Sequence, residues 1–223
     1  MNGATAGAPF RVGLTGNIAA GKSTVADLWR RRGAAVVDAD ELARRAVAPG
    51  SEGLRRVVEA FGREVQDAGG ELDRAALARR VFADPDARAR LEAIVHPEVA
   101  RLRPAAERAA LVGARPGQAL VVHDIPLLFE VGLEDEFDLV AHVHAPSDAR
   151  RARLVEGRGM APDEAAARIA AQMPSEEKIP LADVVIDNSG DLDALGDAAD
   201  AAWERILEAA RARPASRGGA DGG

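Results

Sequence analysis

The sequence contains no cysteine and no tyrosine, and only 3% of its 223 residues are aromatic. The absence of cysteine excludes a disulfide framework, thiolate metal ligands and a cysteine nucleophile. Hydrophobic residues nevertheless make up 47% of the chain, which suits a packed globular core rather than disorder. That core must be built mainly from alanine, valine, leucine and isoleucine.

Long apolar runs are also missing. No stretch approaches the roughly 20 apolar residues that span a bilayer, and residues 1–9 lack the apolar segment of a signal peptide. We therefore expect a cytoplasmic protein with no membrane partner. The formal net charge of −7 argues against nonspecific binding of nucleic acid, although a local basic cleft could still hold a polyanionic ligand. Lysine is scarce, since only Lys22 and Lys178 occur beside many arginines.

Short apolar runs alternate with segments of helical spacing along the chain. The runs predicted to be strands are residues 10–15, 34–37, 119–124, 138–144 and 183–187. A glycine-rich turn and a helix from Lys22 to Arg32 separate the first two runs. This alternation predicts an α/β fold with a doubly wound parallel sheet, whose ligands bind outside the carboxyl ends of the strands.

The middle of the chain is helical and rich in arginine, and we expect it to form an insertion beside the sheet. Helix breaks are predicted at Pro49-Gly50, Gly69-Gly70, Asp84-Pro85 and His96-Pro97. The predicted organisation is one domain over residues 10–213, with a core of 10–40 and 114–213 and an insertion of about 41–113. Residues 1–9 and 214–223 are predicted to be flexible tails.

The glycine-rich turn matches the Walker A pattern at every fixed position: Gly16-Asn17-Ile18-Ala19-Ala20-Gly21-Lys22-Ser23. Such a loop points successive amide N–H groups at one anion, and the following helix adds its positive end. Lys22 would reach the β- and γ-phosphates of a nucleotide, and Ser23 would help to coordinate Mg²⁺. We predict that ATP binds to residues 17–24, which adds Thr24 to the motif.

Acidic residues lie at or just after the ends of the second and third predicted strands. Asp38 and Asp40 follow the second strand, where a carboxylate could accept the proton of an acceptor hydroxyl or organise magnesium-bound water. Either residue could instead cap a helix. Asp124 ends the third strand, as a possible magnesium contact or simply a turn residue before Pro126.

A helix with several arginines, from Arg150 to Arg158, is either a solvated basic surface or a lid. In a kinase, such a lid closes over ATP and places guanidinium groups on the transferred phosphoryl group.

His96 either binds an anionic substrate or packs at a helix boundary. We expect His123, His142 and His144, which lie in strand runs, to be core or sheet-surface residues.

Taken together, these motifs resemble the dephospho-coenzyme A kinase family, over about residues 11–207. The shared segments are Gly-Leu-Thr-Gly at 13–16 with the P-loop, Val-Asp-Ala-Asp at 37–40, 77–82, His96-Pro97, Ile-Pro-Leu-Leu-Phe-Glu at 125–130, 169–173 and 185–190. The resemblance implies a P-loop NTPase-type sheet with a helical substrate-binding insertion and a helical lid of about 150–165. It implies that ATP, with Mg²⁺, phosphorylates the ribose 3′-hydroxyl of dephospho-coenzyme A in the last step of coenzyme A biosynthesis.

The resemblance also assigns roles to individual residues. Asp40 would be the catalytic base, and Arg80 and His96 would bind the acceptor. Asn188 would lie near the adenine. The family's usual lid arginine falls on Gly157 here, so that Arg158 or Arg153 would take its place. We expect a monomer.

Two other functions fit parts of the pattern. A kinase for a nucleoside or nucleoside monophosphate would share the acidic strand end and the arginine lid, but it does not account for His96-Pro97 together with residues 126–130. A nucleotide-dependent switch would share the P-loop, but the sequence shows no Asn-Lys-x-Asp segment for reading guanine.

Overall fold

A computed structural model describes residues 8–81, 84–112 and 120–213. Of the two predicted tails, residues 1–7 and residues 214–223 lie outside the described residues. Phe82 of the family segment 77–82 and residue 119 of the third predicted strand lie outside them as well. No helix within the described ranges is long and apolar enough to cross a membrane.

Five strands form one sheet, and each consists largely of the valine, leucine and isoleucine runs that favour buried strands. The strands are β1 Phe10–Gly16, β2 Ala35–Asp38, β3 Leu120–Asp124, β4 Leu139–His144 and β5 Val184–Asp187. Their order is β2-β3-β1-β4-β5, and the pairs β1–β3, β1–β4 and β4–β5 are parallel. The predicted α/β class and the doubly wound parallel sheet are confirmed.

Nine α-helices accompany the sheet within the described residues. They are α1 Lys22–Arg31, α2 Ala39–Ala46, α3 Glu52–Phe61, α4 Arg74–Val81, α5 Pro85–Val112, α6 Ser147–Arg158, α7 Pro162–Ala170, α8 Ser175–Lys178 and α9 Leu192–Ala212. The chain divides into two compact units. One contains the described residues up to Val37 and from Ala110 onward, and the other is Asp38–Ala109.

The core of the first unit packs α1 and α9 against the sheet. Trp29 of α1 is fully buried, and its ring lies 5.4 Å from that of Trp203 of α9. The Trp29 indole N–H donates to the carbonyl of Ala199 at 2.9 Å, so its one polar atom is satisfied. These contacts fix the helix that begins at Lys22, immediately after the glycine-rich turn.

The second unit has its own apolar core, in which Val57 and Phe61 of α3 pack with Leu77 of α4 and Ile94 of α5. The predicted break at His96-Pro97 is wrong, because α5 continues through Pro97. A proline inside a helix removes one hydrogen bond and costs about 3 kcal/mol in isolation. Packing of the neighbouring Ile94 into this core, which the local pattern does not show, offsets that cost.

Candidate active site

The glycine-rich turn joins the end of β1 to the start of α1, at the carboxyl edge of the sheet. Gly21 precedes the helix with φ 99° and ψ 12°, a left-handed conformation that glycine adopts without strain. Ala19 also has a positive φ of 59°, which costs a residue with a Cβ roughly 1–2 kcal/mol. Within the turn, the amide of Ala20 donates to the carbonyl of Asn17 at 3.0 Å.

This geometry suits an anion. The first amides of a helix have no partners inside the helix, and the helix dipole places partial positive charge at the same end. Lys22 and Ser23 are the first two residues of α1, so their side chains add a cation and a hydroxyl. The turn can therefore bind the phosphates of a nucleotide.

Lys22 forms an ion pair with Asp124, the last residue of β3. The pairing follows from the sheet, because β3 lies beside β1 with Asp124 opposite Leu14. Both side chains are largely buried, with relative exposures of 17% and 12%. A partly buried pair of this kind is screened less than a surface pair. The Asp124 carboxylate therefore lies at the glycine-rich turn, beside the ammonium of Lys22.

Asn188 and Arg153 also contact the turn. The Asn188 side-chain amide donates to the carbonyl of Ala20 at 2.7 Å. The Arg153 guanidinium donates to the carbonyls of Ala19 at 3.2 Å and Asn188 at 2.9 Å, and to the Asn188 side-chain oxygen at 3.2 Å. Gly21 lies so close to Asn188 that a Cβ there would overlap the side-chain nitrogen. The turn is thus held by its neighbours as well as by its own hydrogen bonds.

A pocket of about 690 Å³ opens over the turn. All residues from Gly16 to Thr24 line it, together with Arg153 and Arg158 of α6, Gln172, and Asn188. This brings together the predicted ATP-binding residues, including Asn188 and both candidate lid arginines. Arg158 is the last residue of α6, which ends at Gly159 with a φ of 66°.

The two aspartates after β2 differ in their local contacts. Asp38 is the N-cap of α2, and its carboxylate accepts from the amide of Glu41 at 3.0 Å. Asp40 lies in the first turn of α2 with its side chain exposed. Within the described ranges, the structure records no hydrogen bond or ion pair for the Asp40 carboxylate. The capping role that the sequence left open for both residues therefore falls to Asp38.

The predicted acceptor-binding residues belong to the second unit. Arg80, near the end of α4, pairs with Glu64 and donates to the carbonyl of Phe61. His96 lies exposed on α5. Asp40, Arg80 and His96 are thus all in the unit Asp38–Ala109, whereas the turn and its pocket are in the first unit.

The donor set at the turn suits Mg²⁺. No group of three or more histidine, cysteine, aspartate or glutamate side chains capable of holding a metal occurs among the described residues. A nucleotide-bound Mg²⁺ needs no such group, because phosphates and waters supply most of its ligands and the protein one or two oxygens. The Ser23 hydroxyl and the Asp124 carboxylate are hard oxygen donors of this kind.

Gln172 is a pocket residue to which the sequence assigned no role. Its side-chain oxygen accepts from the backbone amide of Ile18 at 2.8 Å. The adjacent Met173 carbonyl accepts from the side-chain amide of Asn17, also at 2.8 Å. The family-like segment 169–173 was the available signal, but nothing in it indicates contact with a turn about 150 residues away.

Comparison with known proteins identifies relatives over most of the chain. The family model described as CoaE, dephospho-CoA kinase, matches residues 10–194. A dephospho-CoA kinase of Anaeromyxobacter dehalogenans is 53% identical over 189 residues, covering 85% of this chain and 88% of the relative. One from Cutibacterium acnes is 49% identical over 208 residues, covering 93% and 89%.

Two solved structures are also similar to this chain. The crystal structure of TT1252 from Thermus thermophilus has a TM-score of 0.73 and 43% identity, covering 88% of this chain and 97% of that chain. Dephospho-CoA kinase from Campylobacter jejuni has a TM-score of 0.64 and 24% identity, covering 89% and 97%. The second likeness supports the fold alone.

Proposed function

This chain belongs to the dephospho-CoA kinase family, and we propose how its residues divide the phosphorylation of dephospho-CoA to CoA, the last step of CoA biosynthesis. The observation that carries the proposal is the Walker A turn with Lys22 paired to Asp124, in a chain that matches the family over residues 10–194. Family membership favours this acceptor over another nucleoside or a protein partner.

The donor half of the site is the turn and its pocket. The amides at the start of α1 and the Lys22 ammonium bind the β- and γ-phosphates of ATP. The Lys22–Asp124 pair keeps the cation at the turn. Ser23 and Asp124 are the residues that would hold Mg²⁺, which would supply positive charge to offset the charge of the phosphates. Asn188 is proposed to lie near the adenine, as the family resemblance implies, while its side-chain amide donates to the carbonyl of Ala20.

Asp40 is the proposed catalytic base toward the ribose 3′-hydroxyl. Its support is the family resemblance at Val-Asp-Ala-Asp, together with the division of roles between the two aspartates. Asp38 accepts the capping hydrogen bond from Glu41, which leaves the Asp40 carboxylate available to accept a proton. An aspartate that receives the hydroxyl proton raises the nucleophilicity of that oxygen as it attacks the γ-phosphorus.

Arg80 and His96 are proposed to bind the anionic acceptor. Both are exposed, and Arg80 has a carboxylate partner in Glu64. A phosphate of the acceptor would compete with that carboxylate for the guanidinium, because arginine binds both groups with the same planar geometry. Binding at Arg80 therefore selects an acceptor that carries negative charge.

The lid cation is assigned to Arg158. Arg153 already donates to Ala19 and Asn188, which suits it to hold the turn. Arg158 also lines the pocket, and for its guanidinium the described part of the chain records no partner. Charge on the transferred phosphoryl group would draw Arg158 inward, so this side chain would stabilise the transition state.

We also propose that the protein is a monomer in the cytoplasm, which rests on the sequence features alone.

The proposal is tested with Asp40→Asn and Asp38→Asn. Removing a general base lowers turnover by about 10²- to 10⁴-fold, so we expect that loss in Asp40→Asn with ATP binding unchanged. Asp38→Asn is the matched control, since asparagine caps helices as well as aspartate, and it should retain turnover. ADP release is followed with dephospho-CoA, nucleosides or no acceptor.

Unchanged turnover in Asp40→Asn would remove this residue from the role of base. Acceleration of ADP release by nucleosides as strong as that by dephospho-CoA would contradict the acceptor assignment. Hydrolysis of ATP that no acceptor accelerates would instead indicate a nucleotide-dependent switch. For the lid, Arg158→Ala should lower turnover more than it raises the KM for ATP, and the opposite result would favour Arg153.

A further inference from the structure

The second lysine of the chain is completely buried. Lys178 ends α8, and its ammonium donates to a carboxylate oxygen of Glu130 at 2.6 Å. A buried ammonium is tolerated only with a close partner, because its desolvation is costly. The contact between Lys178 and Glu130 is therefore a fixed point in the first unit.

Both lysines bind the same stretch of chain. Lys22 pairs with Asp124 and Lys178 pairs with Glu130, and these carboxylates lie at the two ends of the segment that follows β3. In between, the carbonyl of Pro126 accepts from the hydroxyl of Thr15 at 3.2 Å. The phosphate-binding turn and Lys178 are thus tied to one common segment.

The residues just before Lys178 contact the turn directly. Gln172 accepts from the Ile18 amide and Met173 accepts from the Asn17 side chain, each at 2.8 Å. We call the residues from Gln172 to Lys178 the buttress segment. Its first two residues hold the beginning of the turn, and its last residue is fixed on Glu130.

Ser175 fixes the middle of the buttress segment to β4. Its buried hydroxyl lies 2.9 Å from Nε2 of His142 and 2.9 Å from Nδ1 of His144. Burial, together with the charges of Lys178, His144 and Arg150, lowers the pKa of His142 to about 4. His142 is therefore neutral near pH 7, and the serine hydroxyl can donate to one imidazole nitrogen and accept from the other.

The turn contacts the buttress segment through Gln172, and the buttress segment contacts Glu130 through Lys178. The chain then runs from Glu130 back to Asp124, which pairs with Lys22 of the turn. We propose that the buttress segment is a positioning element for ATP binding. Gln172 holds the Ile18 amide, which sets the conformation of the turn, and Lys178 anchors the segment. The inference rests on the proposed role of the turn in binding ATP.

The direct contact is tested with Gln172→Ala. A neutral hydrogen bond changes an equilibrium by roughly 2- to 10-fold, so the KM for ATP should rise by about that factor. Turnover should stay within about twofold and the KM for dephospho-CoA should not change, because Gln172 acts on the donor half only. Hydrogen exchange of the Ile18 amide in the protein without nucleotide should become faster.

Gln172→Glu distinguishes the effect of the hydrogen bond to Ile18 from the effect of charge at this position. Glutamate keeps an acceptor oxygen for the Ile18 amide but adds a negative charge at the wall of the pocket. We expect slow exchange of the Ile18 amide together with a raised KM for ATP that falls with added salt. The matched control is Arg168→Ala on α7, whose guanidinium is exposed and paired with Glu164. It should leave all of these values unchanged.

The anchor is tested without leaving an unpaired buried charge. Lys178→Met combined with Glu130→Leu removes both partners, whereas Lys178→Met alone could prevent folding. The double variant should show faster Ile18 exchange and a KM for ATP raised at least as much as in Gln172→Ala. Wild-type values for both would overturn the anchoring role of Lys178.

Lys22→Ala distinguishes failure of this inference from failure of the proposed site. If Lys22→Ala abolishes ATP binding while Gln172→Ala changes neither the Ile18 exchange nor the KM for ATP, the positioning role is wrong and the site stands. If Lys22→Ala binds ATP normally, the phosphate-binding role of the turn is wrong, and the positioning inference fails with it.

Discussion

Gly21→Ala is the substitution that most directly tests how the glycine-rich turn is held. Gly21 has a φ of 99°, a region that costs a residue with a Cβ about 1–2 kcal/mol. The new methyl group would also overlap the side-chain nitrogen of Asn188. That nitrogen would have to move away from the Ala20 carbonyl, to which it donates at 2.7 Å.

The two effects give an expected loss of unfolding free energy. Breaking the Asn188 hydrogen bond costs about 1 kcal/mol, which adds to the backbone strain. The sum for Gly21→Ala is about 2–3 kcal/mol. ATP binding should weaken as well, because the displaced Asn188 no longer holds the turn.

Two other glycines serve as controls, because one has the positive φ without the overlap and the other has neither. Gly159 has a φ of 66° but open space around an added Cβ, so Gly159→Ala should lose only about 1–2 kcal/mol. Gly157 lies within α6 and also has open space. Since alanine is favoured over glycine in helices, Gly157→Ala should gain up to about 1 kcal/mol.

Equilibrium unfolding in urea, fitted with a common slope, measures all three variants. We expect the order Gly157→Ala, wild type, Gly159→Ala, Gly21→Ala from most to least stable. If Gly21→Ala is no less stable than Gly159→Ala, the contact with Asn188 does not restrain the turn, and the account of how the pocket is held is wrong.

Three further predictions concern other parts of the fold. The pKa of His142 is lowered from 6.5 to about 4 in the folded protein. As the pH falls, the imidazole of His142 is therefore protonated in the unfolded chain at a higher pH than in the folded protein. Stability should therefore decline from about pH 6.5 to 4, by up to about 3 kcal/mol, and urea titrations of His142→Gln should show a shallower decline. Asp38→Ala should lose about 1 kcal/mol of stability through the missing cap, whereas Asp38→Asn should not, by the same measurement. Trp203→Ala removes the ring that packs on Trp29 and should cost about 3–5 kcal/mol, seen as a lower midpoint of thermal unfolding; a midpoint near that of the wild type would contradict this packing.

The fold class could be predicted from the sequence because its signals are local. Each strand is a short apolar run, and each expected strand appears within one or two residues of its predicted position. The break expected at Pro97 was wrong for a physical reason. A proline shows a local preference against helix, but packing of Ile94 in the core of the second unit outweighs it.

The candidate site was predictable in part. The Walker A residues and Asp124 were predicted from their pattern, and the structure brings Lys22 and Asp124 together. The roles of Asp40, Arg80, His96 and the lid came from the family resemblance and stay predictions. Asp38 and Asp40 could not be told apart by sequence, since both carboxylates suit a cap. The structure assigns only the cap, because the Asp38 carboxylate accepts from the amide of Glu41.

What the sequence by itself determined is the glycine-rich turn between β1 and α1, because a run of eight residues carries its glycines, its lysine and its serine in order. The tertiary structure decided which residues hold that turn. Lys22 meets Asp124 across 102 residues and Ile18 meets Gln172 across 154. Parallel strands joined by long connections bring such residues together, and no periodicity along the chain encodes the distance between them.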